Sequence, residues 1–154
     1  MAESRAQRMQ VVLTLAVRQE DEAAQKLSQF REQLAQEERQ LVELQDYAAQ
    51  YLHAQGNLRQ GVVASELINY SSFINRVNLA CRDQESKVER YKQLMDNLQQ
   101  QWRVKHQKRK SIEDLIDRMK REDDHLLDKR LQKEMDELSS QQLQRNSGST
   151  DNGI

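Results

Sequence analysis

Histidine, cysteine and paired carboxylates are the side chains of this sequence that could carry a reaction. The three histidines, His53, His106 and His125, are too scattered to sit at metal-ligand spacing, and Cys81 has no second thiol for a disulfide or a metal. The pairs Glu37-Glu38 and Asp123-Asp124 fall on stretches that read as helix surface, with no pocket to push their pKa values apart. No glycine-rich loop is present to cradle a phosphate. The expectation is a protein that is not an enzyme and holds no cofactor and no metal. Its denser chemistry suits binding: the run Arg103-Val104-Lys105-His106-Gln107-Lys108-Arg109-Lys110, and the aromatics Tyr47, Tyr51 and Phe73.

The elements that position these groups are read from a seven-residue repeat. From Leu67 the a positions are Leu67, Ile74, Cys81, Val88, Met95 and Trp102, and the d positions are Tyr70, Val77, Gln84, Tyr91 and Leu98. Only Gln84 is polar. From Leu13 the a positions are Leu13, Glu20, Leu27, Leu34, Leu41 and Ala48, and the d positions are Ala16, Ala23, Phe30, Glu37, Leu44 and Tyr51, broken only by Glu20 and Glu37. Narrow apolar seams of this kind coil against a helical partner. Residues 55–64 carry two of the four glycines; Gly56 suits a left-handed cap for the first helix and Ser65-Glu66 the start of the second.

The predicted fold is therefore all-α, an elongated antiparallel two-helix coiled-coil hairpin with unequal arms. A single domain spans 1–144, with helix one over about 9–54, a loop over 55–64, helix two over about 65–144, and a disordered tail, 145–154. Proline is absent, charged residues make up 32% of the chain and hydrophobic ones 36%, so apolar stripes replace a thick core.

Pairing across a hairpin joins residues whose numbers sum to a near-constant, here about 121, which places Leu13 beside Lys108 and leaves residues beyond roughly Ile116 without an intramolecular partner. The most apolar segment, Met9 to Val17, then lies opposite the basic run. That open end suits a partner, or it is a solvated basic face. Toward the loop, Gln40, Leu44, Tyr47 and Tyr51 share a face with Phe73, Val77, Ala80 and Gln84. Tyr47 and Phe73 flank the seam there, either widening the core or forming a docking patch.

The formal net charge of −1 gives no overall attraction to nucleic acid or to an anionic membrane. No apolar run approaches the roughly 20 residues of a membrane span; Val11 to Val17 could pass for a short signal-peptide core, but the heptad runs through it. A lone cysteine at a seam position suits a reducing compartment, so the chain is expected in the cytoplasm. Two rival readings are a scaffold coiled coil that dimerises in parallel, with 55–64 as a stutter, and a basic helix that binds nucleic acid through Arg103 to Lys110.

Gly61-Val62-Val63-Ala64-Ser65-Glu66-Leu67-Ile68-Asn69-Tyr70-Ser71-Ser72-Phe73-Ile74 resembles the loop and second-helix start of the FliJ family, the small soluble component of the bacterial flagellar type III export apparatus. Asp46-Tyr47 with Tyr51, Trp102-Arg103-x-Lys105 and Lys133-x-Met135-Asp136-Glu137 are similar to that family too, and the likeness covers nearly the whole chain in length and order. It implies a two-helix coiled coil similar to the central stalk of rotary ATP synthases. Its implied partners are the hexameric flagellar export ATPase, whose assembly and activity it promotes, the export gate membrane protein, and export chaperones, with peripheral association at the inner membrane. The implied ATPase-ring contact is Leu13, Val17, Arg103, Lys105, Lys108, Arg109, Ile112 and Ile116. The implied gate-docking patch is Gln40, Leu44, Tyr47, Tyr51, Phe73, Val77, Ala80 and Gln84, where the family's histidine at the last position is replaced by glutamine.

Overall fold

Hydrophobic spacing of three and four residues, without proline, favours long helices, and two helices account for almost all of the computed structural model, which describes residues 4–57 and 63–149. Helix α1 is Arg5–Asn57, of 53 residues, and α2 is Ala64–Ser149, of 86 residues. They form a helical hairpin with arms of unequal length.

The helix ends differ from the sequence expectation for identifiable reasons. Helix α1 starts at Arg5, ahead of the expected Met9, because Ser4 and Gln7 form a reciprocal cap. The Gln7 amide donates to Ser4 Oγ at 3.2 Å and the Ser4 amide donates to Gln7 Oε1 at 3.0 Å. Helix α1 also runs through Gly56, whose backbone stays out of the left-handed region, so the expected glycine cap does not form there. One glycine inside a helix costs only about 1 kcal/mol, which a long cooperative helix absorbs.

The Val63 carbonyl opens α2, accepting from the amides of Glu66 at 3.1 Å and Leu67 at 3.2 Å, so Ser65 lies in the first turn and does not cap it. Glu66 sits where its charge favours the helix N-terminus. Helix α2 continues past Gln144 through Gly148 to Ser149, making residues 145–149 helical where a disordered tail was expected. The remainder of that tail, 150–154, the loop positions 58–62 and the first three residues lie outside the described residues.

Contacts group into two units, a hairpin unit of residues 18–106 and a terminal unit of residues 1–17 with 107–154. In the hairpin unit the buried residues Leu27, Leu34, Ile74, Val77, Cys81 and Val88 all occupy a or d positions. Phe30 meets Tyr91 with ring centroids 5.2 Å apart, Glu37 meets Gln84, and Tyr51 meets Tyr70 at 5.9 Å, each pair adding to 121. Leu67 is the seam position that escapes cover, at 44% exposure.

In the terminal unit Ala16, Ile112 and Ile116 form a small buried cluster, with Met9 and Leu13 packed against it. Met9 and Ile112 of this cluster add to 121, in keeping with the constant-sum expectation. Ile112 and Ile116 offer Met9, Leu13 and Ala16 an apolar surface to bury against, which the charges of Lys105, Lys108 and Arg109 do not. Ser4, Ala6, Gln7 and Gln10 line a shallow groove with Lys120, Asp123 and Asp124. From Arg121 to Ser149 every residue is exposed.

Candidate functional site

Two surfaces stand out, one in each unit. In the hairpin unit Tyr47 and Tyr51 lie one turn apart on α1, with hydroxyls 3.0 Å and ring centroids 4.6 Å apart. Phe73 of α2 stacks obliquely on Tyr51 at 4.9 Å and meets Tyr47 edge-on at 6.4 Å. Tyr70 donates a short hydrogen bond to the Tyr51 backbone carbonyl, tying α2 to α1. Such aromatic pairs contribute about 0.5–1.5 kcal/mol beyond the area they bury. The hydrogen bond to Tyr51, then desolvation and the neighbouring charge, hold the Tyr47 phenol above its usual pKa of 10.0. It therefore stays neutral through the physiological range, an aromatic anchor that is 41% exposed.

The eight residues of this patch divide between core and surface. Val77 is buried, and Leu44, Tyr51, Phe73 and Gln84 are half-buried, while Gln40, Tyr47 and Ala80 are exposed. Gln84 is turned inward. Its Nε2 donates to Glu37 Oε2 at 2.6 Å and to the Glu37 carbonyl at 3.0 Å, while Lys87 Nζ reaches Glu37 Oε1 at 3.1 Å. The Gln84 hydrogen bond first, and Lys87 second, hold the Glu37 carboxyl below its usual 4.5. A polar pair inside an apolar seam fixes which turn of one helix faces which turn of the other.

The other polar break, Glu20, is met by His106, whose Nδ1 lies 2.9 Å from Glu20 Oε1 and whose ring stacks on Trp102 with centroids 4.9 Å apart. Lys105 lines an adjacent cleft with Lys26, Ala23, Leu98 and Val104, and Arg103 is exposed. Both basic residues belong to the hairpin unit.

The remaining residues of the expected ring contact, Leu13, Val17, Lys108, Arg109, Ile112 and Ile116, belong to the terminal unit. Ile112 and Ile116 are buried and Leu13 is packed against them, so these three shape the unit from inside. Val17 is 37% exposed, Lys108 is exposed, and Arg109 Nη1 lies 2.8 Å from Glu113 Oε1 one turn ahead. On the α1 side of this unit the apolar surface left uncovered includes, besides Val17, Val11 at 73%, Val12 at 42% and Leu15 at 54%. Sequence reasoning placed these three within the open end from Met9 to Val17 that suits a partner, without naming them singly as contacts. Their signal was their place in the most apolar segment yet off the a and d positions.

Among the described residues no helix is long and apolar enough to cross a membrane, and no cluster of three or more His, Cys, Asp or Glu side chains converges as a metal site would.

Comparison with known proteins gives a consistent result. The sequence model of the family described as Flagellar FliJ protein matches residues 5–148. A Flagellar FliJ protein of Salmonella typhi is 28% identical over 111 residues, covering 71% of this chain and 76% of the relative. No solved structure gives a significant match.

Proposed function

This chain belongs to the FliJ family of flagellar proteins, components of flagellar protein export, and from that membership we propose that it binds the export ATPase ring in the manner of a central stalk and promotes its assembly and ATP hydrolysis. The match over residues 5–148 carries this reading. The uncovered Val11, Val12 and Leu15 support it, because an exposed apolar face on a helix in a charge-rich chain is a feature of protein contact. Leu13, Ile112 and Ile116 hold that face from beneath, and Val17, Lys108 and Arg109 border it in sequence.

A second contact, with the export gate membrane protein, uses the aromatic patch. Tyr47 and Phe73 are its anchors, Gln40 and Ala80 its open surface, and Leu44, Tyr51, Val77 and Gln84 the support that fixes the rings. Arg103 and Lys105, expected at the ATPase contact, belong to the hairpin unit and are not assigned to the gate patch. Export chaperones are further partners, and the protein works peripherally at the cytoplasmic face of the export apparatus without spanning the membrane. The mechanism is coupling by contact: α2, unbroken from Ala64 to Ser149, contributes residues to both contacts.

Two variants of the full chain test this division. Val11→Asp with Leu15→Asp is expected to weaken ATPase binding at least about tenfold and to spare gate binding; Tyr47→Ala with Phe73→Ala is expected to do the reverse. Equal loss of both partners by both variants, with helicity unchanged, would contradict two separate surfaces.

A further inference from the structure

The terminal unit, residues 1–17 with 107–154, has two unlike sides. At about 100° per residue, Arg5, Arg8, Val11, Val12 and Leu15 fall within about 120° of arc on α1, outside the buried face of Met9, Leu13 and Ala16. All five are exposed. On the other side of α1, Gln7 and Gln10 line the shallow groove with Lys120, Asp123 and Asp124. That groove fixes which sides of the two helices go together. Lys120 and Asp124 share it, so Lys108 and Leu115, across the line through Ile112 and Ile116, adjoin the arginine-bearing face of α1.

The charges follow the same division. Residues 5–19 of α1 contain no Asp or Glu, and the N-terminal end of a helix is itself electropositive. Lys108 adds a third exposed cation. Arg118 lies farther along that side with Asp114 one turn before it and Glu122 one turn after, so it adds no net charge. Glu113, which pairs with Arg109, and Asp117 turn toward the groove side that already holds Asp123 and Asp124. An apolar patch bordered by cations is matched by an apolar surface bordered by carboxylates and repelled by a basic one. The planar fork of arginine suits carboxylates further, because it binds them through two parallel hydrogen bonds.

Resting on the ATPase reading above, we propose that Arg5, Arg8 and Lys108, bordering Val11, Val12 and Leu15, make a one-sided contact whose partner surface on the ATPase is apolar and carries carboxylates. The groove side, with carboxylates of its own, is left out of that contact.

Binding of the full chain to the same organism's export ATPase, with helicity checked for each variant, tests the sidedness. Arg5→Glu with Arg8→Glu is expected to weaken binding about tenfold or more, and Asp123→Lys with Asp124→Lys, on the groove side, to leave it within about twofold. Raising salt from about 50 to about 300 mM is expected to weaken the wild type more than the Arg5→Glu, Arg8→Glu variant. If Val11→Asp with Leu15→Asp abolishes binding while Arg5→Glu with Arg8→Glu leaves it within about twofold, this inference fails and the stalk reading stands. A wild-type chain that does not bind the ATPase overturns both. An Arg5→Glu, Arg8→Glu chain that keeps its ATPase binding and instead loses flotation with phosphatidylglycerol vesicles would assign the face to anionic lipid and overturn the proposal.

Discussion

Glu37 and Gln84, the polar members of two otherwise apolar d series, meet at 2.6 Å, and Lys87 closes the group from the α2 side. The contact lowers the pKa of Glu37, so it favours the folded state when the carboxyl is ionised. Its contribution is complete above the ordinary carboxylate value of 4.5 and is lost as pH falls through the lower folded-state value. Thermal melts taken downward from that pH are expected to fall more steeply for the wild type than for Glu37→Gln, whose amide does not titrate; parallel curves would show that the carboxylate contributes nothing. At this scale the sequence was legible where polarity broke a pattern and less so where a cap preceded it. Ser4-x-x-Gln7 was present as a capping box, but the helix start was placed where apolar periodicity begins, four residues late. Gly56 misled in the other direction, since a glycine near a helix end marks a cap only when the backbone there leaves the right-handed region.

At the scale of elements, the heptads of α1 and α2 identify the faces that pack, because seam spacing dictates which side chains a partner helix covers. The register in the terminal unit was legible as well, since Met9 and Ile112, which share a cluster with Leu13, Ala16 and Ile116, add to the same 121. Ile116, at 3% exposure, is expected to be among the costliest positions: Ile116→Ala should destabilise by about 2–4 kcal/mol in urea titration, since few neighbours can close the gap. Leu143→Ala, at a position 70% exposed, is expected to change stability by less than about 0.5 kcal/mol. Equal effects would mean that the Ala16–Ile112–Ile116 cluster does not hold the helices together. The candidate surfaces follow from the same geometry. Off-seam residues such as Val11, Leu15 and Tyr47 stay exposed, and seam residues such as Val77 and Ile116 are buried.

For the whole molecule, length, loop position and the stretch from Gly61 to Ile74 suggested the flagellar family before any contact was known, and the match over residues 5–148 places the chain in it. Which partner each surface meets lies in complementarity with another protein, and a single chain's periodicity does not encode that. The decisive measurement is titration of the full chain into the same organism's flagellar export ATPase, following hexamer assembly and ATP hydrolysis together. Both are expected to rise and saturate with added protein, and both responses are expected to be lost with Val11→Asp and Leu15→Asp. An ATPase that is active alone and changes neither its assembly nor its turnover on addition of the wild-type chain would contradict stalk-like binding.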